Sequence, residues 1–343
     1  MIYRVLKNSL LLGVLLLLSV SFAQSGLQGG ERGLQRDASV GFGTPTGSGQ
    51  VSYDSWSFDR GGSVKKSSGE NSSSSSVTSS SAQSESAAQS RIADTIPQSQ
   101  SAQLPKWQTL PEVKAPWMKG ERLEYELSWG FVTAGYATLE VKPQKDGKTE
   151  FVSFATANKT VNKFYPVHDT VYTLVRNKGL MTESFRKSLH EGTFHNKSVI
   201  RFDRGGKKAV LSDTVFKDPI HLHRVKRSAD TSVTIDGMEH SIMSAFYIVR
   251  TMPFNVGSTT RFSAVSGKKR YELKVIIHGR EKLKTDLGTF NTVKVEPVLD
   301  GDGIFNSSGR IFIWMTDDDK RIPVLMQCEI KLGSIKAKLV KMQ

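Results

Sequence analysis

Histidines and aspartates are the residues of this chain that could form a metal site. His221 and His223 lie two positions apart, so on a strand their side chains would share one face, as two metal ligands can. Asp218 is close in sequence, but no third ligand follows in a recognised pattern, and the basic residues from Arg224 onward disfavour a bound cation. The spacing therefore assigns no metal ligand to this segment.

The run Asp300-Gly301-Asp302-Gly303 begins like a calcium-binding loop. Counted from Asp300, the sixth position is Phe305 where the EF-hand pattern needs glycine for a sharp turn. The twelfth position is Ile311 where that pattern needs a bidentate glutamate. The EF-hand pattern therefore fails, and the later acidic run at residues 317–319 is predicted to be a solvated turn.

The common nucleophilic and acid–base motifs are absent from the sequence. The chain has no G-x-S-x-G elbow, no H-E-x-x-H pair and no phosphate-binding glycine loop. His168-Asp169 and His190-Glu191 are adjacent pairs, but neighbours on a strand point to opposite faces, so neither pair reads as a base with its orienting group. Glycosidase carboxylates can be distant in sequence, and nothing selects a pair from the 33 acidic residues. No catalytic, metal-binding or cofactor-binding residue is assigned, and no cofactor is expected.

The elements that would position functional groups are clearest at the C-terminus. From Ile322 to Leu332 every second residue is apolar, which is the period of a strand with one buried face. Cys328 is the single cysteine and lies in register with that face, so it is predicted to be a small buried hydrophobe. The Gly-Ser pair at residues 333–334 leads into a second alternating run at 335–339, which predicts a hairpin.

The N-terminal part of the chain has a different composition. Residues 1–23 have a basic start at Arg4 and Lys7, an apolar run and small residues at the end, which predicts a secretory signal peptide cleaved near Ala23. The apolar run is shorter than a membrane span of about 20 residues, and an uncleaved N-terminal anchor stays as the alternative. Residues 24–105 are rich in Ser, Gly and Gln and are predicted to be a disordered low-complexity segment, because they can bury little apolar surface.

Residues 106–343 contain the pattern of one β-rich domain. Short strands at this spacing, separated by turn residues, are typical of a meandering sheet, sandwich or barrel. We therefore predict an all-β fold, either a strongly curved antiparallel sheet or a partly closed β-barrel. Strands are predicted at 123–129, 137–141, 151–157, 170–176, 180–190, 197–203, 207–212, 260–264, 270–278, 282–285, 292–297, 311–315, 322–332 and 335–339.

One segment has helical spacing. Asp236 and Glu239 resemble a capping box, in which an N-cap residue is followed three positions later by a glutamate. Apolar residues then recur at helical spacing as far as Val249. The pattern predicts one amphipathic helix over about 238–252, packed against the curved sheet.

The formal net charge of the chain is +14, and nearly all of it falls on residues 106–343. A basic exported domain can meet anionic surfaces such as lipid headgroups or acidic glycans, while lysines on the wet faces of strands also prevent edge pairing. Nucleic acid is not expected as a partner, because the chain has an export signal and no basic helix or RNA-binding motif.

Several segments of the domain occur in a familiar order. They are residues 120–141, 164–175, 238–254, 286–297 and 313–339. Together they resemble a family of bacterial exported proteins catalogued as domain of unknown function 3108, over about residues 116–343. The resemblance implies an antiparallel β fold and a Gram-negative-type cell envelope, and it implies no activity and no catalytic residue. The Ser-rich segment is additional to the core pattern of that family.

Three hypotheses about function follow. The first is a non-catalytic envelope protein, periplasmic or secreted, that binds a lipidic, glycan or protein ligand on the concave face of its sheet. The second is a hydrolase of envelope glycans, which requires at least two carboxylates, or a histidine and a carboxylate, to meet with perturbed pKa values. The third is a scaffold that uses a sheet edge or residues 24–105 to meet an envelope partner.

Overall fold

A computed structural model describes residues 106–217, 224–300, 310–330 and 333–343. The predicted signal peptide, the Ser-rich segment 24–105 and the pair His221 and His223 lie outside the described residues. Among the described residues, no helix has the length and apolar character needed to cross a bilayer.

The described part of the chain is mostly strand, as predicted. The strands are β1 (Glu121–Trp129), β2 (Val132–Gln144), β3 (Lys148–Ala157), β4 (His168–Arg176), β5 (Met181–Glu191), β6 (Phe194–Asp203), β7 (Lys208–Phe216), β8 (Val225–Thr234), β9 (His240–Ser241), β10 (Thr259–Ser266), β11 (Lys269–Thr285), β12 (Gly288–Asp300), β13 (Ile311–Thr316), β14 (Pro323–Ile330) and β15 (Gly333–Met342). The helices are α1 (Lys159–Asn162) and α2 (Ile242–Val249), with 3-10 turns at Lys106–Gln108 and Pro116–Lys119.

All of these strands join one 15-stranded sheet in the order β8-β7-β6-β5-β4-β3-β2-β1-β15-β14-β13-β12-β11-β10-β9. Consecutive strands form antiparallel meanders, and β1 pairs with β15, so the first and last strands of the domain lie side by side. The two-residue strand β9 pairs in parallel with β10. Strands that are far apart in this order lie close together in space: β8 approaches β11, and β9 approaches β5. The sheet is therefore strongly curled. This confirms the prediction of a strongly curved antiparallel sheet.

The helix differs from its prediction in length and character. It was predicted over about 238–252 as an amphipathic helix, but it spans Ile242–Val249 and its side chains are buried on nearly all sides. The reason is the curvature of the sheet, which brings β4, β9 and β10 into contact with the helix from different directions. A helix enclosed in this way needs an apolar surface all round.

The predicted capping box forms hydrogen bonds, but it does not begin the helix. The Glu239 carboxylate accepts the backbone N–H groups of Asp236 (2.9 Å) and Gly237 (3.0 Å), which closes a turn before β9. Ser241 is the N-cap of α2, and its hydroxyl accepts the backbone N–H of Ser244 at 3.3 Å. The helix therefore begins later than predicted, because the chain first adds a short strand to the sheet.

A buried arginine joins α2 to the sheet. Arg250 has a side-chain exposure of 0% and donates to both carboxylate oxygens of Glu121 in β1, at 2.6 and 2.8 Å. It also donates to the backbone carbonyls of Lys320 (2.8 Å) and Arg321 (3.0 Å) in the turn between β13 and β14. The guanidinium group lies over the Trp117 ring, 5.0 Å from its centroid. Every side of this buried cation therefore meets an acceptor or an aromatic face.

We expect Arg250→Met or Glu121→Gln to lower the free energy of unfolding by about 3–5 kcal/mol, because each change leaves the other partner buried and unpaired. The double variant Arg250→Met with Glu121→Leu should lose less than the sum, since it removes both charges. Urea unfolding followed by circular dichroism measures these differences.

The control for this prediction is Arg261→Gln, which breaks the exposed pair of Arg261 with Glu272, at side-chain exposures of 51% and 52%. It should change stability by less than about 1 kcal/mol. Equal effects of Arg250→Met and Arg261→Gln would contradict the role given to the buried pair.

Candidate functional site

Charged side chains lie on the inner face of β4–β7, the face that packs the core. In the antiparallel register, Val171 lies opposite Lys187, Lys187 opposite Ser198, and Ser198 opposite Asp213. Because directly opposed residues point to the same face, Lys187 and Asp213 share the face of the buried Val171. Strand pairing therefore places a lysine and a carboxylate on a surface that is otherwise apolar.

Two more carboxyl groups reach this face at the ends of β4 and β5. Asp169 is 1% exposed, and its Oδ1 accepts the backbone N–H of His190 at 2.8 Å. Its side chain also hydrogen-bonds to the carboxyl group of Glu191. Burial, together with the negative charge of Glu191, raises the pKa of Asp169 to about 8. Burial also raises the pKa of Glu191. Two carboxyl groups that are hydrogen-bonded to each other and largely removed from water do not both ionise, so the pair keeps a proton at neutral pH.

Lys187 is the cation of this group. Burial lowers the pKa of its ammonium group to about 8, although the carboxylates of Asp213, Glu191 and Asp169 act in the opposite direction. Desolvation is therefore the larger effect on Lys187, which is typical of a lysine away from bulk water. Perturbed acids and a perturbed lysine on one face are a known signature of functional sites, and structural ion-pair networks also produce it.

Asp213 completes the group and links it to the edge of the sheet. Its Oδ1 accepts a hydrogen bond from the Asn196 amide at 2.8 Å, and its Oδ2 pairs with Arg227 of β8 at 3.3 Å. We refer to Asp169, Lys187, Glu191, Asn196 and Asp213 as the inner-face cluster. Since its charges nearly cancel at neutral pH, the cluster offers hydrogen-bond donors and acceptors more than a net charge.

Histidines occupy the opposite face of the same strands. The Nδ1 atoms of His190 and His195 are 2.7 Å apart, and Nε2 of His190 lies 3.1 Å from the Ser188 hydroxyl. Burial, aided by His195, lowers the pKa of His190 to about 4, so its ring is neutral at pH 7. His168 is exposed while Asp169 is buried, as expected for strand neighbours. The structure therefore unites Asp169 with Glu191, one member of each adjacent pair, and leaves the histidines on the other face.

A serine and a histidine also meet inside the fold. The Ser244 hydroxyl lies 3.3 Å from Nδ1 of His240 and 2.6 Å from the Thr182 hydroxyl, and all three residues are buried. Burial lowers the pKa of His240 to about 4. These contacts fasten α2 to β5, and the buried Ser244 hydroxyl is no candidate for an accessible nucleophile.

A family model matches this chain, and its description names no activity. The model of the family described as "Protein of unknown function (DUF3108)" matches residues 124–340, which is more than half of the chain. The chain belongs to the DUF3108 family. A search of curated proteins gave no match.

One solved structure shares 14% sequence identity with this DUF3108 protein, at a TM-score of 0.44. It is the crystal structure of a "Beta-barrel-like Protein of Domain of Unknown Function DUF1849 from Brucella abortus". The match covers 65% of this chain and 97% of that chain.

Two further candidates of the sequence lie within the described residues of the DUF3108 protein, whereas Asp218 and most of the loop that begins at Asp300 lie outside them. Cys328 is buried, and burial raises the pKa of its thiol to about 11, as suits a core residue. The acidic run forms a turn, in which Asp318 accepts the backbone N–H groups of Lys320 (3.0 Å) and Arg321 (3.1 Å). Within the described ranges, no group of three or more His, Cys, Asp or Glu residues is arranged to hold a metal ion.

The raised pKa of Asp169 predicts how stability depends on pH. The folded state holds a proton on Asp169 up to about pH 8, whereas an unfolded aspartate releases it near pH 4. This stabilisation is complete below about pH 4 and is lost as pH rises towards 8. Asp169→Asn cannot ionise, so we expect it to exceed the parent in stability by about 1–3 kcal/mol at pH 8, with a smaller difference at pH 5.

Urea unfolding of parent and variant at both pH values measures this difference. Asp230→Asn, at an exposed position of β8, is the control and should show no such trend. A stability difference for Asp169→Asn that stays constant from pH 5 to pH 8 would show that Asp169 is ionised in the folded protein.

Proposed function

We propose that the DUF3108 protein is a non-catalytic binding module of the cell envelope, periplasmic or secreted after signal cleavage near Ala23, and that it binds a glycan. The observation that carries this proposal is the inner-face cluster, in which Lys187 lies with three carboxyl groups on the core side of the sheet. Groups that cost stability where they lie are more common at binding sites than in the rest of a core.

The rest of the inner face is packed with apolar side chains, which favours the inner-face cluster as the position of a polar ligand. Buried apolar side chains of β1–β7 and β10–β15 pack with α2 into one continuous hydrophobic core. A lipid chain would have to displace that packing. Asp169 lies at the beginning of β4 and Glu191 at the end of β5, whereas Lys187, Asn196 and Asp213 lie within β5, β6 and β7.

The chemistry of the cluster favours a neutral, hydroxyl-rich ligand. A protonated carboxyl pair, a lysine and an amide present both donors and acceptors, whereas unpaired carboxylates would repel an anionic group. Phe194 lies directly opposite Glu191 in the register and is partly exposed, so it adds an aromatic surface next to the polar groups. A few convergent polar groups beside an aromatic ring are typical of small-ligand sites.

Calorimetric titration with soluble neutral oligosaccharides, and with carboxylated oligomers of the same length, tests the proposal. The neutral series should bind, and Lys187→Met should weaken that binding at least tenfold by removing a charged donor, equivalent to about 1.4 kcal/mol. Lys208→Met, at an exposed position of β7, is the matched control and should leave affinity unchanged.

Two results would refute glycan binding at the cluster. One is equal affinity of the Lys187→Met and Lys208→Met variants for the oligosaccharide that binds the parent. The other is the absence of glycan from the protein purified out of its own envelope, as measured by mass spectrometry, together with no binding in the titrations.

A second candidate is hydrolysis of an envelope glycan. It is favoured by the Asp169–Glu191 pair, because a carboxyl group that is protonated at neutral pH next to another carboxylate is what a glycosidase acid requires. If the protein is a hydrolase, it should release reducing ends from envelope polysaccharide. Asp169→Asn and Glu191→Gln should each abolish that release. Binding without any release of reducing ends would leave the binding module as the function.

A further inference from the structure

Two aromatic side chains project into solvent at neighbouring turns. Phe131, in the turn between β1 and β2, has a relative exposure of 108%, and Phe164, between β3 and β4, has one of 76%. Val132, next to Phe131, is 61% exposed. Single exposed apolar residues are common on proteins, but large ones on adjacent tips form a surface that water solvates poorly.

Hydrogen bonds hold these two turns together. The Asn158 side chain donates to the carbonyl of Thr133 at 2.5 Å, and its backbone N–H donates to the carbonyl of Ala134 at 2.9 Å. The same side chain caps α1 by accepting the backbone N–H of Val161 at 2.8 Å. The segment that carries Phe164 is therefore fixed to the hairpin that carries Phe131.

The residue after Phe164 anchors the tip from below. Tyr165 is buried, and its ring occupies the space beside Gly192, where an added Cβ would lie 2.6 Å from a ring carbon. Gly192 has φ +58° and donates its N–H to the carbonyl of Pro166 at 2.8 Å. With Tyr165 held in the core and Phe164 adjacent to it, the exposed ring is presented by a supported loop.

The same end of the sheet is basic. The turns that follow β1, β3, β5 and β7 lie at one end because the strands alternate in direction. Their described residues include exposed Lys159, Lys163, Lys217 and Arg224 and no acidic residue. The N–H of Lys217 donates to the carbonyl of Arg224 at 2.8 Å, which closes the last of these turns. We call these turn residues the aromatic rim.

We propose that the aromatic rim docks this domain on an anionic lipid bilayer. Exposed phenylalanine rings enter the boundary between headgroups and acyl chains, and lysines beside them are attracted to anionic headgroups. Apolar tips and positive charge on one end of the sheet match both layers of that surface. The proposal is independent of the glycan proposed for the inner-face cluster.

Sedimentation of the exported full chain with vesicles of phosphatidylcholine and phosphatidylglycerol tests this inference. Phe131→Ser with Phe164→Ser should reduce the vesicle-bound fraction at least tenfold, while Val256→Ser, which removes another exposed apolar side chain, should not change it. Each variant contains the same residues before Lys106, so a contribution of that segment to binding is equal in all of them.

The charge requirement has its own matched pair. Lys159→Gln with Lys163→Gln should weaken binding to phosphatidylglycerol vesicles several-fold and lower its sensitivity to salt. Lys145→Gln with Lys178→Gln, which removes two exposed lysines from turns at the opposite end of the sheet, should do neither. Equal effects of the two pairs would show attraction by net charge in place of docking through the rim.

The depth to which residue 131 enters the bilayer tests the proposal even if another segment also binds vesicles. Phe131→Trp should gain fluorescence that is quenched by lipids brominated on the acyl chain, and Val256→Trp should not. Absence of extra quenching for Phe131→Trp, in a variant with the thermal unfolding midpoint of the parent, would overturn the proposal.

Discussion

The buried ion pair of Arg250 and Glu121 is the interaction on which the arrangement of this domain depends. A guanidinium group without solvent needs hydrogen-bond acceptors, and here all three of its nitrogens donate, to Glu121 of β1 and to the turn between β13 and β14. Arg250 follows α2 directly, so the same contacts fix the helix inside the curved sheet. Tyr125 of β1 reinforces the connection by donating to the carbonyl of Pro323 at 2.8 Å. Residues from the beginning, middle and end of the domain are therefore fixed at one point.

The inner-face cluster follows a different principle from this pair. All three guanidinium nitrogens of Arg250 donate to oxygen atoms, whereas burial raises the pKa of Asp169 and lowers the pKa of Lys187, so it disfavours the charged form of both. A buried charge with well-placed partners stabilises one arrangement of the core, while a group whose charged form is disfavoured by burial reduces stability and retains the capacity to meet a ligand. This contrast is why the cluster, and not the more deeply buried arginine, is the candidate site.

The two proposals concern neighbouring parts of the molecule. Asp169 lies at the beginning of β4 and Glu191 at the end of β5, so both are close in sequence to the turns of the aromatic rim. A domain docked on a bilayer through that rim would hold the cluster near the headgroup layer, where envelope glycans attached to lipids are found. Binding of a glycan and docking on a membrane are thus compatible within one orientation of the domain.

The sequence by itself determined the fold class. Alternation of apolar and polar residues predicted most of the strands, including the closing hairpin, because each such strand buries one face and exposes the other. A strand that does not bury one face and expose the other was not predicted. β8 lies at an edge of the sheet, and exposed and partly exposed residues such as Val225 and Lys226 follow one another without an apolar face, so its sequence gave no strand pattern. The segments 270–278 and 282–285 were expected as separate strands but form one strand, β11, with an irregularity between Ile277 and Gly279.

Tertiary structure decided the rest. The boundaries of α2 and its burial depend on how the sheet curls around it, which no local spacing specifies. The meeting of Asp169 with Glu191, Lys187 and Asp213 depends on the pairing register of strands β4 to β7. The sequence shows each of these residues as one charge among many. The shifted pKa values of Asp169, Glu191 and Lys187 arise from burial and from neighbouring charges, and both require the folded sheet.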